Sequence, residues 1–109
     1  MKLPIIRTEE QGEVTYFIPL KKGKLKRTIS LENAQCAVNG KEVVFAEVYD
    51  VDARIDTELQ SLSEEYESIV KLKNGFRIEI SKNSEEKTTN CMVNIDVDES
   101  GEILSIEVI

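Results

Sequence analysis

Residues 91–109 read Cys-Met-Val-Asn-Ile-Asp-Val-Asp-Glu-Ser-Gly-Glu-Ile-Leu-Ser-Ile-Glu-Val-Ile, and two structures compete for them. Asp96, Asp98, Ser100, Gly101, Ile103 and Glu107 fall at positions 1, 3, 5, 6, 8 and 12 of an EF-hand calcium loop. The same residues make a β-hairpin, with apolar side chains alternating on both sides of Ser100-Gly101. An EF-hand loop is entered and left by helices. Here Cys91, Val93 and Ile95 alternate with period two, only Val108 and Ile109 follow Glu107, and Leu104 takes the ninth position, where a polar group is expected. A hairpin pairs Val97 with Leu104, Ile95 with Ile106 and Val93 with Val108, so every apolar residue on that face has an apolar partner. The hairpin is the better reading, and the calcium spacing is a coincidence of strand alternation.

Working outward, Phe76, Ile78 and Ile80 alternate with polar neighbours and predict a strand, and Lys82 to Asn90 predicts a polar loop. Between Asp56 and Val70 the period changes. Leu59, Leu62, Tyr66, Ile69 and Val70 share one side of a 3.6-residue helix, which is expected from about Glu58 to Lys73. Thr57 with Gln60 makes a capping box, Asp56 and Glu58 suit the positive end of the helix dipole, and Lys71 and Lys73 suit the other. Asn74-Gly75 is read as the helix C-cap, because a hairpin there would oppose Leu72 to Arg77 and Lys71 to Ile78.

The first half is all strand signals. Leu3 to Thr8 opens at an edge because of Pro4. Glu13 to Leu20 is paired through a turn at Lys22-Gly23 with Leu25 to Leu31, which sets Leu20 on Leu25, Tyr16 on Ile29 and Val14 on Leu31. Gln35 to Val38 is paired through Asn39-Gly40 with Lys41 to Val51, setting Cys36 on Val43 and Ala34 on Phe45. The run Val43-Val44-Phe45-Ala46 is apolar on both faces and predicts a central strand. The expected fold is therefore α+β: a mainly antiparallel sheet of seven to eight strands in the order β-β-β-β-β-α-β-β-β, with one long helix packed on it, or that sheet curled into a partly closed barrel.

Composition narrows function by exclusion. With 109 residues, 40% hydrophobic and 32% charged, one domain spanning residues 1–109 is expected. No apolar run approaches the ~18 residues of a membrane span, and the N-terminus turns polar too early for a signal peptide. Cys36 and Cys91 are the only cysteines, each among apolar neighbours; buried reduced thiols and a cytoplasmic location are expected. There is no histidine, which removes Ser-His and Cys-His nucleophile pairs, most zinc sites and the commonest general base. Asp50, Asp52 and Asp56 resemble in spacing a Mg²⁺-holding carboxylate group at a strand end, but no Gly-rich phosphate loop accompanies them and turn and cap roles are preferred. No cofactor or metal is expected.

Net charge is −7. Lys21, Lys22, Lys24, Lys26 and Arg27 form a basic tip without interleaved aromatics, and the other residues then carry a net −12. That field repels a phosphate backbone, so a turn that blunts edge pairing is preferred to a nucleic-acid contact. Tyr16, Tyr49 and Tyr66 are expected in the core with hydroxyls at its rim. The candidate partner-binding residues are acidic: Glu64 opposite the helix's apolar stripe, Glu65 and Glu67 on its flanks, and Asp98, Glu99 and Glu102 at the last hairpin tip. These point to a non-catalytic domain for a basic protein partner, most concretely an immunity protein or antitoxin that covers a nuclease toxin's active site. A structural or accessory subunit of a phage or bacterial assembly is the alternative, and a divalent-metal enzyme ranks below it.

Overall fold

The computed structural model describes all 109 residues. Ten strands and one helix follow in the order β1 (Ile6–Glu10), β2 (Glu13–Pro19), β3 (Arg27–Leu31), β4 (Ala34–Asn39), β5 (Glu42–Tyr49), α1 (Ala53–Glu65), β6 (Ile69–Lys71), β7 (Gly75–Glu79), β8 (Lys87–Asn90), β9 (Val93–Val97) and β10 (Ile103–Val108). They make two antiparallel sheets of five strands, ordered β1-β2-β10-β9-β3 and β6-β7-β5-β4-β8. The α+β class stands. The expected single sheet is two sheets, and they are not closed into a barrel.

The two sheets share one core. Tyr16, Ile18, Val93, Ile95, Ile106 and Val108 come from the first sheet, Cys36, Ala46, Val48, Phe76 and Ile78 from the second, and Ile55 and Leu59 from the helix. The sheets meet at a bend. β3 pairs with β9 through Leu31 opposite Val93, and β4 pairs with β8 through Gln35 opposite Asn90. Three residues of one strand pair (Glu32, Asn33, Ala34) therefore face two of the other (Cys91, Met92), a one-residue bulge that turns a continuous ladder from one sheet into the next.

At that bend Cys36 and Cys91 form a disulfide, with Cα atoms 5.9 Å apart. This corrects the expectation of reduced thiols, and the cytoplasmic expectation loses the support it drew from them. Fifty-five positions separate the two cysteines along the chain, and the β4–β8 pairing brings them together, with Cys36 opposite Thr89 and the Cys91 amide donating to the Ala34 carbonyl.

The C-terminal hairpin is present. Val93 lies opposite Val108 and Ile95 opposite Ile106, as expected, while Val97 faces Ile103 instead of Leu104 because a bulge lies between Ile103 and Ser105. The β4–β5 hairpin is also present with β5 central, but Val38 faces Val43, Cys36 faces Ala46 and Ala34 faces Val48. The turn sits one residue later than expected, with a second shift between Ala37 and Val38.

The hairpin expected at Lys22-Gly23 does not form. β2 pairs with β1 and β10, and β3 lies at the opposite edge beside β9. The segment between them crosses the end of the β9–β10 hairpin, where the Leu20 and Lys21 amides donate to the Leu104 carbonyl and the Lys26 amide to that of Val97. Alternation places Tyr16 and Ile29 on the core face but does not choose their neighbours, which β10 and β9 supply equally well. The first strand runs Ile6–Glu10 instead of Leu3–Thr8; Pro4 precedes it, and Leu3 is buried.

The helix starts and ends earlier than expected. Asp52 is its N-cap, accepting from the Arg54 and Ile55 amides, and Tyr66 is the C-cap residue. Thr57 instead donates back to the Ala53 carbonyl. Ile69 and Val70 belong to β6, which turns at Leu72–Gly75 into β7, with Ile69 on Ile78 and Lys71 on Phe76. The hairpin rejected from sequence therefore exists, with the turn centred on Lys73-Asn74 and a register that restores Ile69 to Ile78. Gly75 is required there, since a Cβ would run into the Val48 carbonyl of β5. The expected 82–90 loop contains β8, whose four exposed residues pair along β4. No helix is long and apolar enough to cross a membrane.

Candidate functional site

The six acidic residues expected to bind a partner fall into two groups at opposite ends of α1. Glu64 and Glu65 lie in its last turn and Glu67 just beyond the cap; all three are exposed and none has an ion-pair or side-chain hydrogen-bond partner. Asp98, Glu99 and Glu102 stand beside the helix start, where Arg54 donates to the Ser100 carbonyl and Glu58 accepts from the Ile103 amide. From Arg54 to Glu64 is ten residues, about 15 Å along a helix axis. The two groups are not one patch.

Their environments differ. Asp98 accepts from the Ser100 amide and hydroxyl and from the Glu102 amide, and it pairs with Lys21 at 3.1 Å. The Ser100 hydroxyl first, then Lys21, hold its carboxyl below the ordinary range. Lys21 also pairs with Glu102. Asp98 and Glu102 thus fasten the β2–β3 crossing to the last hairpin, and Glu99 alone in this group is exposed and unpaired. At the helix end the last turn contains no basic residue. Lys71, expected there, instead pairs with Asp56 in the first turn and stacks over Phe76, and Lys73 lies in the β6–β7 turn. Two carboxylates therefore meet the negative end of the helix dipole uncompensated.

Glu67 also lines a groove of roughly 820 Å³ between the N-terminal segment and the β7–β8 connection. Leu3, Phe45 and Ile80 contribute to its walls, and Glu79, Glu85, Lys2 and Lys82 to its polar lining. Neither the groove nor the Phe45–Arg77–Glu47–Tyr49 cluster beside it is apparent in the sequence. There Arg77 stacks on Phe45 at 4.1 Å and pairs with Glu47 at 2.7 Å, while the Tyr49 hydroxyl donates to Glu47. Burial alone would raise the Glu47 carboxyl; the bonds from Tyr49 and Arg77 outweigh it and the net shift is downward. The i, i+2 alternation of Phe45, Glu47 and Tyr49 was the only signal in the sequence.

A second missed cluster joins the sheets at the far end. Arg7 of β1 holds Glu42 of β5 at 2.6 Å, and Lys41 holds Glu9. The Tyr16 hydroxyl donates toward Glu42 at 3.3 Å and accepts from the Val43 amide at 3.0 Å. Arg7 keeps the Glu42 carboxyl below its usual range, Lys41 does the same for Glu9, and burial pushes the Tyr16 phenol up.

Asp50, Asp52 and Asp56 do not converge. Asp50 accepts from Asn33, Asp52 caps the helix and Asp56 meets Lys71, and no three potential ligands gather anywhere in the chain. Of the basic tip, Lys21 is consumed by Asp98 and Glu102, and Lys22, Lys24, Lys26 and Arg27 are exposed. Tyr16 and Tyr66 are buried; Tyr49 is half-buried on the outer side of β5. No protein-family model matches the chain, and no curated protein or solved structure matches it significantly.

Proposed function

We propose that the chain is a non-catalytic, acidic protein-binding domain, most concretely an immunity protein or antitoxin that covers the basic active site of a nuclease toxin. The observation that carries this is the C-terminal end of α1, where Glu64, Glu65 and Glu67 are exposed, close in sequence and without any cation of their own. Carboxylates at that end of a helix cost stability, each about 0.3–1 kcal/mol. A sequence tuned for folding alone would place lysine there, and departures of this kind concentrate at functional surfaces. A basic partner would relieve the repulsion, and the net −7 would speed its approach.

The binding surface is the helix end, with Glu67 leading into the groove. Asp98 and Glu102 have a structural role on Lys21, and Glu99 is the member of the second group left to meet a partner. The absence of histidine favours a role without catalysis. On compartment, an inhibitor of an intracellular nuclease works in the cytoplasm, whereas the Cys36–Cys91 disulfide favours an oxidising environment; the proposal is for the surface. Affinity capture from cells that make the chain, followed by assay of the captured protein with and without it, tests the reading. A basic protein whose nuclease activity falls on binding supports it, and a complex that leaves activity unchanged opposes it. Self-association without any heterologous partner would favour the alternative, a structural or accessory subunit; self-association beside a captured basic protein would not.

A further inference from the structure

β1 is a five-residue edge of the first sheet, paired on one side only, with β2. All five of its residues are exposed, and Ile6 is 51% accessible. The other three edges are shorter or more buried. β6 has only three residues. β8 has four residues, the first of them Lys87. β3 follows Lys24 and Lys26 and has the start of α1 beside it, across a cavity shared by Ile29 and Ile55. An open edge invites another strand unless its side chains forbid one.

In β1 they do not forbid it. Arg7 and Glu9 point to the side that Tyr16 occupies, and Ile6, Thr8 and Glu10 to the other. A second copy that continues the sheet antiparallel about a two-fold axis perpendicular to it must oppose residues on the same side. The axis then falls on Arg7, Thr8 or Glu9. On Arg7 or Glu9 it sets like charges face to face. On Thr8 it sets Arg7 against Glu9 of the second copy, twice, with Thr8 on Thr8 and each Ile6 beside the methylenes of a Glu10. Opposite charges directly across a ladder are favourable and like charges unfavourable. Arg7 and Glu9 are already bonded within the chain, yet 37% and 34% of their side-chain surfaces remain accessible to a second copy.

We propose that β1 is a homodimerisation edge, on which a second copy of this chain pairs antiparallel about Thr8 to join two five-stranded sheets into one of ten strands. Five residue pairs make a small interface, so the dimer is weak and forms with rising concentration. The proposal is independent of the acidic helix end.

Sedimentation equilibrium over a range of protein concentrations reads the mass, which rises toward twice that of the monomer. Thr8→Lys places two ammonium groups across the axis and returns the mass to that of the monomer, with an unchanged circular dichroism spectrum. Directly opposed residues bring their Cα atoms within disulfide range. Thr8→Cys therefore forms a covalent dimer on mild oxidation, much faster than Thr15→Cys, one strand further in on the same side. A monomer at every concentration overturns the proposal. So does a dimer that Thr8→Lys leaves intact, or cross-linking of Thr8→Cys no faster than of Thr15→Cys.

Discussion

Cys36 in β4 and Cys91, the first residue after β8, are bonded across the bend where the paired strands pass from one sheet to the other. Each cysteine is thus tied to the place where the fold departs from a single flat sheet. The bond closes a loop of 55 residues, for which the chain-entropy relation gives about 4 kcal/mol. A Cys36→Ala/Cys91→Ala variant should lose about 2–4 kcal/mol in urea unfolding. An unchanged midpoint would show that the bond is not what holds the bend.

Tyr16→Phe tests the clasp at the other end of the sheets. Its hydroxyl is the acceptor for the Val43 amide, and Val43 is buried. Losing that acceptor should cost about 1–3 kcal/mol, the penalty for a buried donor without a partner. The same denaturation experiment measures it.

Acid should loosen this region. Glu42 and Glu9 have carboxyls held below their ordinary value of 4.5 by Arg7 and Lys41 respectively. The unfolded chain then binds protons more readily than the folded one between those depressed values and 4.5, so stability is present above this window and is lost as pH falls through it. The melting temperature should drop across the window, and drop less steeply in Arg7→Met. Equal slopes in the two proteins would rule out the Arg7 contacts as a source of acid sensitivity.

Gly75→Ala should be among the most damaging single substitutions, at about 3 kcal/mol or more, because its Cβ would meet the Val48 backbone in the centre of the second sheet. Gly40→Ala, in open space at φ +62°, faces only the left-handed conformation and should cost about 1–2 kcal/mol. Melting temperatures ranked the other way would contradict the β5–β7 contact.

How much of this was legible in the sequence depends on the separation of the partners. The β9–β10 and β4–β5 hairpins are local, and alternation with a turn residue disclosed both, to within a bulge or a shifted turn. The Lys22-Gly23 hairpin failed because an inner face that suits β3 suits β10 as well; periodicity assigns a side chain to a face, not to a neighbour. The helical pattern runs on past the true end of α1 because Ile69 and Val70 fit both a helical stripe and a short strand. The cysteine pair, the Arg7–Glu42 contact and the groove all join residues more than thirty positions apart or several segments at once, and single-sequence patterns hold no record of them. Of the expected site, exposure at Glu64 and Glu65 follows from helical phase, Glu67 is exposed although it lies beyond the helix end, and the capture of Asp98 and Glu102 by Lys21 needs the crossing that local patterns do not show.

Glu64→Gln/Glu65→Gln/Glu67→Gln separates folding from binding at the proposed surface. Removing charge from the negative end of α1 should raise stability, by about 0.3–1 kcal/mol for each residue in the last turn. The most direct measurement is capture by wild type and by this variant, side by side, from cells that make the chain. The account predicts a basic protein retained by wild type, inhibited by it, and lost from the more stable variant. Retention of no basic protein, or equal retention by both, would contradict it.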